Sequence, residues 1–136
     1  MANKLQALLL ITVVVFVAEG RRNVATLFCN DIRTIRAEVE VNNGETLFVP
    51  ADCIKGRIQW NLPNPSTELD VQFQSQNPSN CFVSNYPERF ANYEIIEDGV
   101  STKPYRGNEH CISTSNVQLS VPVRYYLVYI NFELRP

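Results

Sequence analysis

Cys53-Ile54-Lys55-Gly56-Arg57-Ile58-Gln59-Trp60-Asn61-Leu62, then a Pro63-Asn64-Pro65-Ser66 break, then Glu68-Leu69-Asp70-Val71-Gln72-Phe73, decides the fold of this chain. Ile58, Trp60 and Leu62 alternate with Arg57, Gln59 and Asn61. Leu69, Val71 and Phe73 alternate with Asp70, Gln72 and Gln74. A period of two places each apolar set on one face of a strand and the polar set toward water. The Pro-Asn-Pro-Ser break suits neither helix nor ladder. Residues 53–73 therefore predict two half-buried strands joined by a turn. The only Trp of the chain lies on the inward face of the first, and Cys53 ties that strand to another segment.

Outward from this stretch the alternation recurs. Ile35, Ala37, Val39 and Val41 alternate with Arg36, Glu38 and Glu40, and Asn42-Asn43-Gly44 follows as a turn tolerant of positive φ. Residues 45–49 are expected to return as the second arm of a hairpin. Residues 81–84 are short and apolar. Residues 92–97 read as a strand ended by the Asp98-Gly99 turn pair. Val117, Leu119 and Val121 share one side of residues 116–121, before Pro122 marks an edge or a break. Residues 64–66 and 77–79 are both Asn-Pro-Ser loops, and the central Pro bars each from glycosylation.

Residues 124–134 differ from the rest. Tyr126, Val128, Ile130, Phe132 and Leu134 form one apolar face, expected to be core. Tyr125, Leu127 and Tyr129 make the opposite face apolar too. A strand of this kind is usually central and covered twice. The opposite face therefore predicts either burial beneath residues 21–28 or a long loop, or an exposed interface, because Tyr gives large contact area at little entropy cost. With about seven to nine short strands and no clear helix, the chain predicts an all-β fold, an antiparallel β-sandwich.

The N-terminus is expected to lie outside this fold. Residues 7–18 are apolar apart from Thr12 and follow Lys4. The run is too short to span a bilayer but suits the core of a signal peptide. Ala18-Glu19-Gly20 places small residues at the cleavage-determining positions. Residues 1–20 are thus expected to be removed, leaving a single domain over residues 21–136 that starts at Arg21. No other apolar run is long enough to cross a membrane. The net charge is −2, and losing Lys4 and Glu19 with the leader leaves it unchanged. Without a basic excess, nucleic acid and anionic membranes are poor candidate partners.

Four cysteines, Cys29, Cys53, Cys81 and Cys111, remain in the secreted part. An even count in such a domain reads as two disulfides. Zinc sites pair their ligands roughly two to four residues apart, and no two of these cysteines are that close. Three connectivities are open, and spacing does not choose among them.

His110 is the only histidine. It adjoins Cys111, which a disulfide takes, so no Cys–His nucleophile pair forms. Ser113 and Ser115 are nearby, yet no acid other than Glu109 is placed to orient the ring. A surface histidine is the default reading. Glu94, Glu97 and Asp98 read as a solvated strand face and a turn rather than as paired glycosidic carboxylates. The five glycines are scattered and make no phosphate loop. No catalytic residue, cofactor site or metal site is expected.

The order of these elements resembles a CUB domain, a secreted jelly-roll-type β-sandwich of about this length with two disulfides. The resemblance is carried by Cys29; Cys53; Ile58-Gln59-Trp60; Leu69, Val71 and Phe73; Cys81; residues 93–99; Cys111; residues 113–121; and residues 125–134. It covers nearly all of residues 21–136. It implies pairing of Cys29 with Cys53 and of Cys81 with Cys111, each worth about 3 kcal/mol in the chain-entropy model. Many CUB domains bind calcium through three acidic positions. The nearest matches here are Gln74 or Gln76, Asn92 and Pro122-Val123, none of them a carboxylate, so no calcium site is expected. The resemblance further implies a non-enzymatic extracellular binding protein, akin to CUB proteins of insect venom and saliva or to the seminal-fluid adhesins that bind carbohydrate or phospholipid. Its partner would be an extracellular protein or glycan, or a second copy of the chain. A small lipid carrier with an apolar cavity, and an enzyme using His110, are the readings from other classes.

Overall fold

A computed structural model describes residues 22–62, 67–75, 79–83, 93–104, 109–122 and 126–135. The expected leader 1–20, its cleavage point at Arg21, and Gln76, Asn92, Val123 and Tyr125 lie outside the described residues.

Eleven strands run through the described residues: β1 Val24–Cys29, β2 Asp31–Glu40, β3 Leu47–Val49, β4 Lys55–Asn61, β5 Glu68–Phe73, β6 Ser79–Val83, β7 Glu94–Glu97, β8 Val100–Thr102, β9 Glu109–Cys111, β10 Asn116–Ser120 and β11 Leu127–Arg135. They form a six-stranded sheet in the order β2-β1-β4-β11-β6-β9 and a five-stranded sheet in the order β3-β5-β10-β7-β8. The two sheets make the expected sandwich. All pairings are antiparallel except β3 with β5, which is parallel.

The alternation in residues 53–73 explains this arrangement. β4 buries Gly56, Ile58 and Trp60 while Arg57, Gln59 and Asn61 stay half-exposed. β5 buries Leu69, Val71 and Phe73. β4 belongs to the six-stranded sheet and β5 to the five-stranded one, so these two apolar faces enter one core from opposite layers. Burying each large side chain contributes about 1.5–3 kcal/mol. The indole N–H of Trp60 donates to Oδ1 of buried Asn23, so the largest core residue brings no orphaned donor with it. Phe73 from one sheet meets Phe82 and Phe132 from the other, edge to face at 6.0 and 5.2 Å between centroids. Trp60, Phe82, Phe132, Ile58, Ile130 and Leu119 are all fully buried, so side chains fill the space between the layers.

Cys29 is bonded to Cys53 and Cys81 to Cys111. Beside the first bridge, Asn30 takes a left-handed conformation (φ 59°) between β1 and β2. Its Nδ2 donates to Asp52 O at 3.0 Å, and its Oδ1 accepts from the amides of Ile54 and Lys55, both at 3.2 Å. Asp98 and Gly99 turn β7 into β8 with φ of 51° and 79°, the paired positive values that a two-residue hairpin turn requires.

The structure departs from the sequence expectations at five points. Residues 45–49 are no hairpin arm: after a 3-10 turn at Val41–Asn43 the chain crosses to the other sheet, where β3 lies parallel to β5. Ile35 is 58% exposed, because the β1–β2 register shifts after Leu27 and sets Ile35 opposite outward-facing Phe28. Leu62 leaves β4 with φ 49° and is half-buried. Tyr126 precedes β11 and is 84% exposed, while Leu134, beyond the core, is half-buried. The strands exceed the expected count, since β8 and β9 are three-residue polar segments with no alternation to read.

Candidate binding surface

β11 brings the two faces of residues 124–134 to different places. Val128, Ile130 and Phe132 face the core. Leu127 and Tyr129 face outward on the six-stranded sheet, both half-buried. Residues 24–28, one of the expected covers, form β1 in that same sheet and so do not lie over them.

The register builds the outer face row by row. Leu127 lies across Asn61 from Val24. Tyr129 lies across Gln59 from Thr26, and Asn131 across Arg57 from Phe28. Arg57 connects the last two rows. Its guanidinium carbon stands 5.2 Å from the Tyr129 ring centroid, and its Nε donates to Asn131 Oδ1 at 3.0 Å. A cation over an aromatic face contributes about 0.5–1 kcal/mol where solvent reaches it. Farther along, Glu133 forms ion pairs with Lys55 at 3.7 Å and Arg135 at 3.2 Å, and Arg135 also pairs with Glu109. The result is a half-apolar centre of Val24, Phe28, Leu127 and Tyr129 with charge pairs along one margin. Exposed Ile35, opposite Phe28, extends it.

The chemistry near His110 is occupied differently. His110 is half-buried on β9, opposite Phe82. Glu109, the acid beside it in sequence, is held by Arg135. Among the described residues, Cys81, Glu109 and Cys111 bring metal-ligating atoms within 4.8 Å, but both sulfurs are joined in a disulfide and supply no thiolate.

No known family model, no curated protein and no solved structure matches the chain.

Glu97 has a structural task that its sequence context does not reveal. Its Oε2 accepts from the amides of Ser113 (2.8 Å) and Thr114 (2.9 Å) and from the Thr114 hydroxyl (2.9 Å). Burial pushes its carboxyl up, but those three bonds together with nearby His110 outweigh burial and hold it below the ordinary value of 4.5. A folded pKa below the unfolded one gives stability that is present above about pH 4.5 and lost as pH falls through the folded value. Glu97→Gln is expected to lower the melting temperature near neutral pH. Its melting temperature should also fall less than wild type's between pH 6 and pH 3, as paired thermal melts across that range would show. Parallel curves would mean that Glu97 does not carry the acid sensitivity.

A second surface went unread in the sequence. On the outer face of the five-stranded sheet, Asp70 lies opposite Gln118 and Gln72 opposite Asn116. These residues, with Thr46 and Asp98, line a depression of about 330 Å³. Asp70, Gln72, Asn116 and Gln118 are ordinary outward-facing polar residues of their strands. Only the β5–β10 pairing, which no local pattern encodes, sets them side by side.

Proposed function

We propose that the chain is a secreted, non-enzymatic binding protein of CUB-like type, a component of a venom or other glandular secretion. It engages an extracellular protein through the outer face of the six-stranded sheet. The observation that carries this reading is the two-faced β11. One face is core, while Leu127 and Tyr129 on the other present half-apolar area beside Arg57. Tyr and Arg are enriched among the residues that dominate protein interfaces. Further support comes from the two disulfides, which join the cysteines that the CUB resemblance pairs. Among the described residues no helix is long and apolar enough to cross a membrane. The lone histidine lies between an acid engaged by Arg135 and a bridged cysteine.

Two measurements test the reading. Expressed with its leader in eukaryotic cells, the chain should reach the medium with Arg21 as its first residue; retention inside the cell would rule out secretion. Labelled protein should bind cell surfaces or matrix, and Leu127→Ser should weaken that binding at least ten-fold while lowering the melting temperature by only a few degrees. Full binding by Leu127→Ser would remove this face from the proposal.

A further inference from the structure

The two disulfides have different surroundings. Cys29 and Cys53 are 4% and 2% exposed, and beside them Asn30 ties the chain to Asp52, Ile54 and Lys55. In the second bridge the two ends differ. Cys81 is 0% exposed, whereas Cys111 is open to solvent. The two residues lie directly opposite each other on β6 and β9, and β9 is an edge of the six-stranded sheet. Phe82 points into the core, so its neighbour Cys81 and the bridge lie on the sheet's outer face.

An ion pair covers the buried end. Arg135 lies opposite Ser79, one outward-facing position past Cys81 along β6. Glu109 lies opposite Val83, one such position past Cys81 in the other direction, on β9. The Arg135–Glu109 pair therefore runs diagonally across β6, over Cys81. The distances agree, since a carboxylate oxygen of Glu109 is within 4.8 Å of both sulfurs. Arg135 also meets Glu133, which faces Cys81 from β11, at 3.2 Å. Its Nε is buried and has no hydrogen-bond partner among the described residues. The Arg135 side chain is thus a strap over the Cys81 sulfur that leaves Cys111 uncovered.

Access and charge then decide which sulfur reacts. A thiolate attacks in line with the S–S bond, from the side away from the leaving sulfur, and exchange depends on that access. For Cys111 the approach comes from beyond the edge strand, through solvent. For Cys81 it comes from β11, where Glu133 and the strap stand. Attack at Cys111 expels Cys81, and a leaving thiol of lower pKa departs faster. A guanidinium nearby lowers a thiol's pKa. Lys55 and Arg135 balance Glu133 and Glu109 in charge, so a thiolate forming there meets no net repulsion.

We infer that Cys81–Cys111 is a thiol-exchange site, opened at Cys111 by a small external thiol, with Cys81 leaving beneath Arg135. The attacking thiolate bonds to the Cys111 sulfur as the Cys81–Cys111 bond breaks, and the electron pair of that bond departs with Cys81. A second thiol attacks the mixed disulfide, frees Cys111 and yields the disulfide of the reagent. Two reagent thiols are thereby oxidised by two electrons, the bridge is reduced by two, and two protons pass to the cysteines. Cys29–Cys53 stays closed throughout. The site is separate from the Leu127–Tyr129 face.

The test incubates the full secreted chain, folded and without denaturant, with millimolar 2-mercaptoethanol. Samples are quenched over time with acid and N-ethylmaleimide and mapped by mass spectrometry. Cys81–Cys111 should open at least ten-fold faster than Cys29–Cys53, and the mixed disulfide should sit on Cys111 with maleimide on Cys81. Arg135→Gln should slow attack at Cys111 several-fold and move part of the mixed disulfide to the uncovered Cys81. Arg135→Lys, which keeps the charge, should recover most of the rate, an outcome that a merely loosened sheet edge would not give. If Arg135→Gln fails to fold, the ratio between the two bridges and the labelling pattern of the wild type decide alone. Equal opening of both bridges, as expected if only global unfolding exposes them, overturns the inference. So does a mixed disulfide found mainly on Cys81, or a bridge that stays closed in the folded protein. An Arg135→Gln rate equal to wild type's removes Arg135 from the reaction.

Discussion

Gly56→Ala is expected to remove about 3 kcal/mol or more of the protein's stability. Gly56 lies opposite Phe132 in the β4–β11 pairing, and the ring folds over it. A methyl group at Gly56 would stand 2.1 Å from Phe132 Cζ, with Cε1 and Cε2 at 2.6 and 2.7 Å. The ring has nowhere to retreat, since Phe73 packs against it at 5.2 Å and Phe82 at 6.3 Å. Glycine is needed here for space and not for backbone freedom. Removing a glycine's unfolded-state entropy would favour alanine by about 0.4–1 kcal/mol. Overpacking a rigid site costs about 1–3 kcal/mol and more where neighbours cannot shift, and we expect the upper end or beyond. Against a total stability of about 5–15 kcal/mol, that is a heavy loss. A double-mutant cycle gives the sharper check. Gly56→Ala should cost much less in a Phe132→Ala background, where the new methyl enters the space the ring vacates. Equal costs in both backgrounds would mean that the ring does not cover Gly56.

Phe132→Ala by itself should cost about 3–5 kcal/mol, since it empties the centre of the three-ring contact between sheets. Leu127→Ala, on the opposite face of the same strand and half-buried, should cost only about 1 kcal/mol, roughly half the value of a fully buried leucine. Urea midpoints measured side by side decide the matter. A neutral Phe132→Ala with a strongly destabilised Leu127→Ala would show β11 to be inverted.

How much of this could be read in advance depends on how each strand is buried. β4, β5 and β10 were legible because one face of each is wet, so a period of two survives in the residues. Asp98-Gly99 was legible because few other residue pairs adopt two positive φ values in succession. β1 was not, although it lies second in its sheet. Ala25, Leu27 and Cys29 point inward while Val24 and Phe28 stay half-buried on the other face, which erases the alternation. In β2 the apolar residues alternate cleanly, but the register shift after Leu27 turns Ile35 away from the core that Ala37 and Val39 reach. The expected hairpin failed for a related reason. Asn42-Asn43-Gly44 does make a turn, yet no local signal tells whether the chain leaving it rejoins the same sheet or crosses to the next. On the candidate surface, Leu127 and Tyr129 could be singled out from their own strand. Their neighbours Val24, Phe28 and Arg57, like the Asp70–Gln118 block, exist as groups only through pairings between residues far apart in the chain.

The position of β11 has a consequence for the order of assembly. It follows every other described strand in sequence, yet it lies inside the six-stranded sheet, with β2, β1 and β4 on one side and β6 and β9 on the other. Until it arrives, the two flanks share no ladder, and β4 and β6 each present a bare edge. Closing them over such sequence distances makes folding slow. A ribosome-bound chain still lacking residues 127–135 cannot complete its larger sheet. Under the secretion proposed above, placing β11 after the other described strands keeps the larger sheet open until residues 127–135 have followed them.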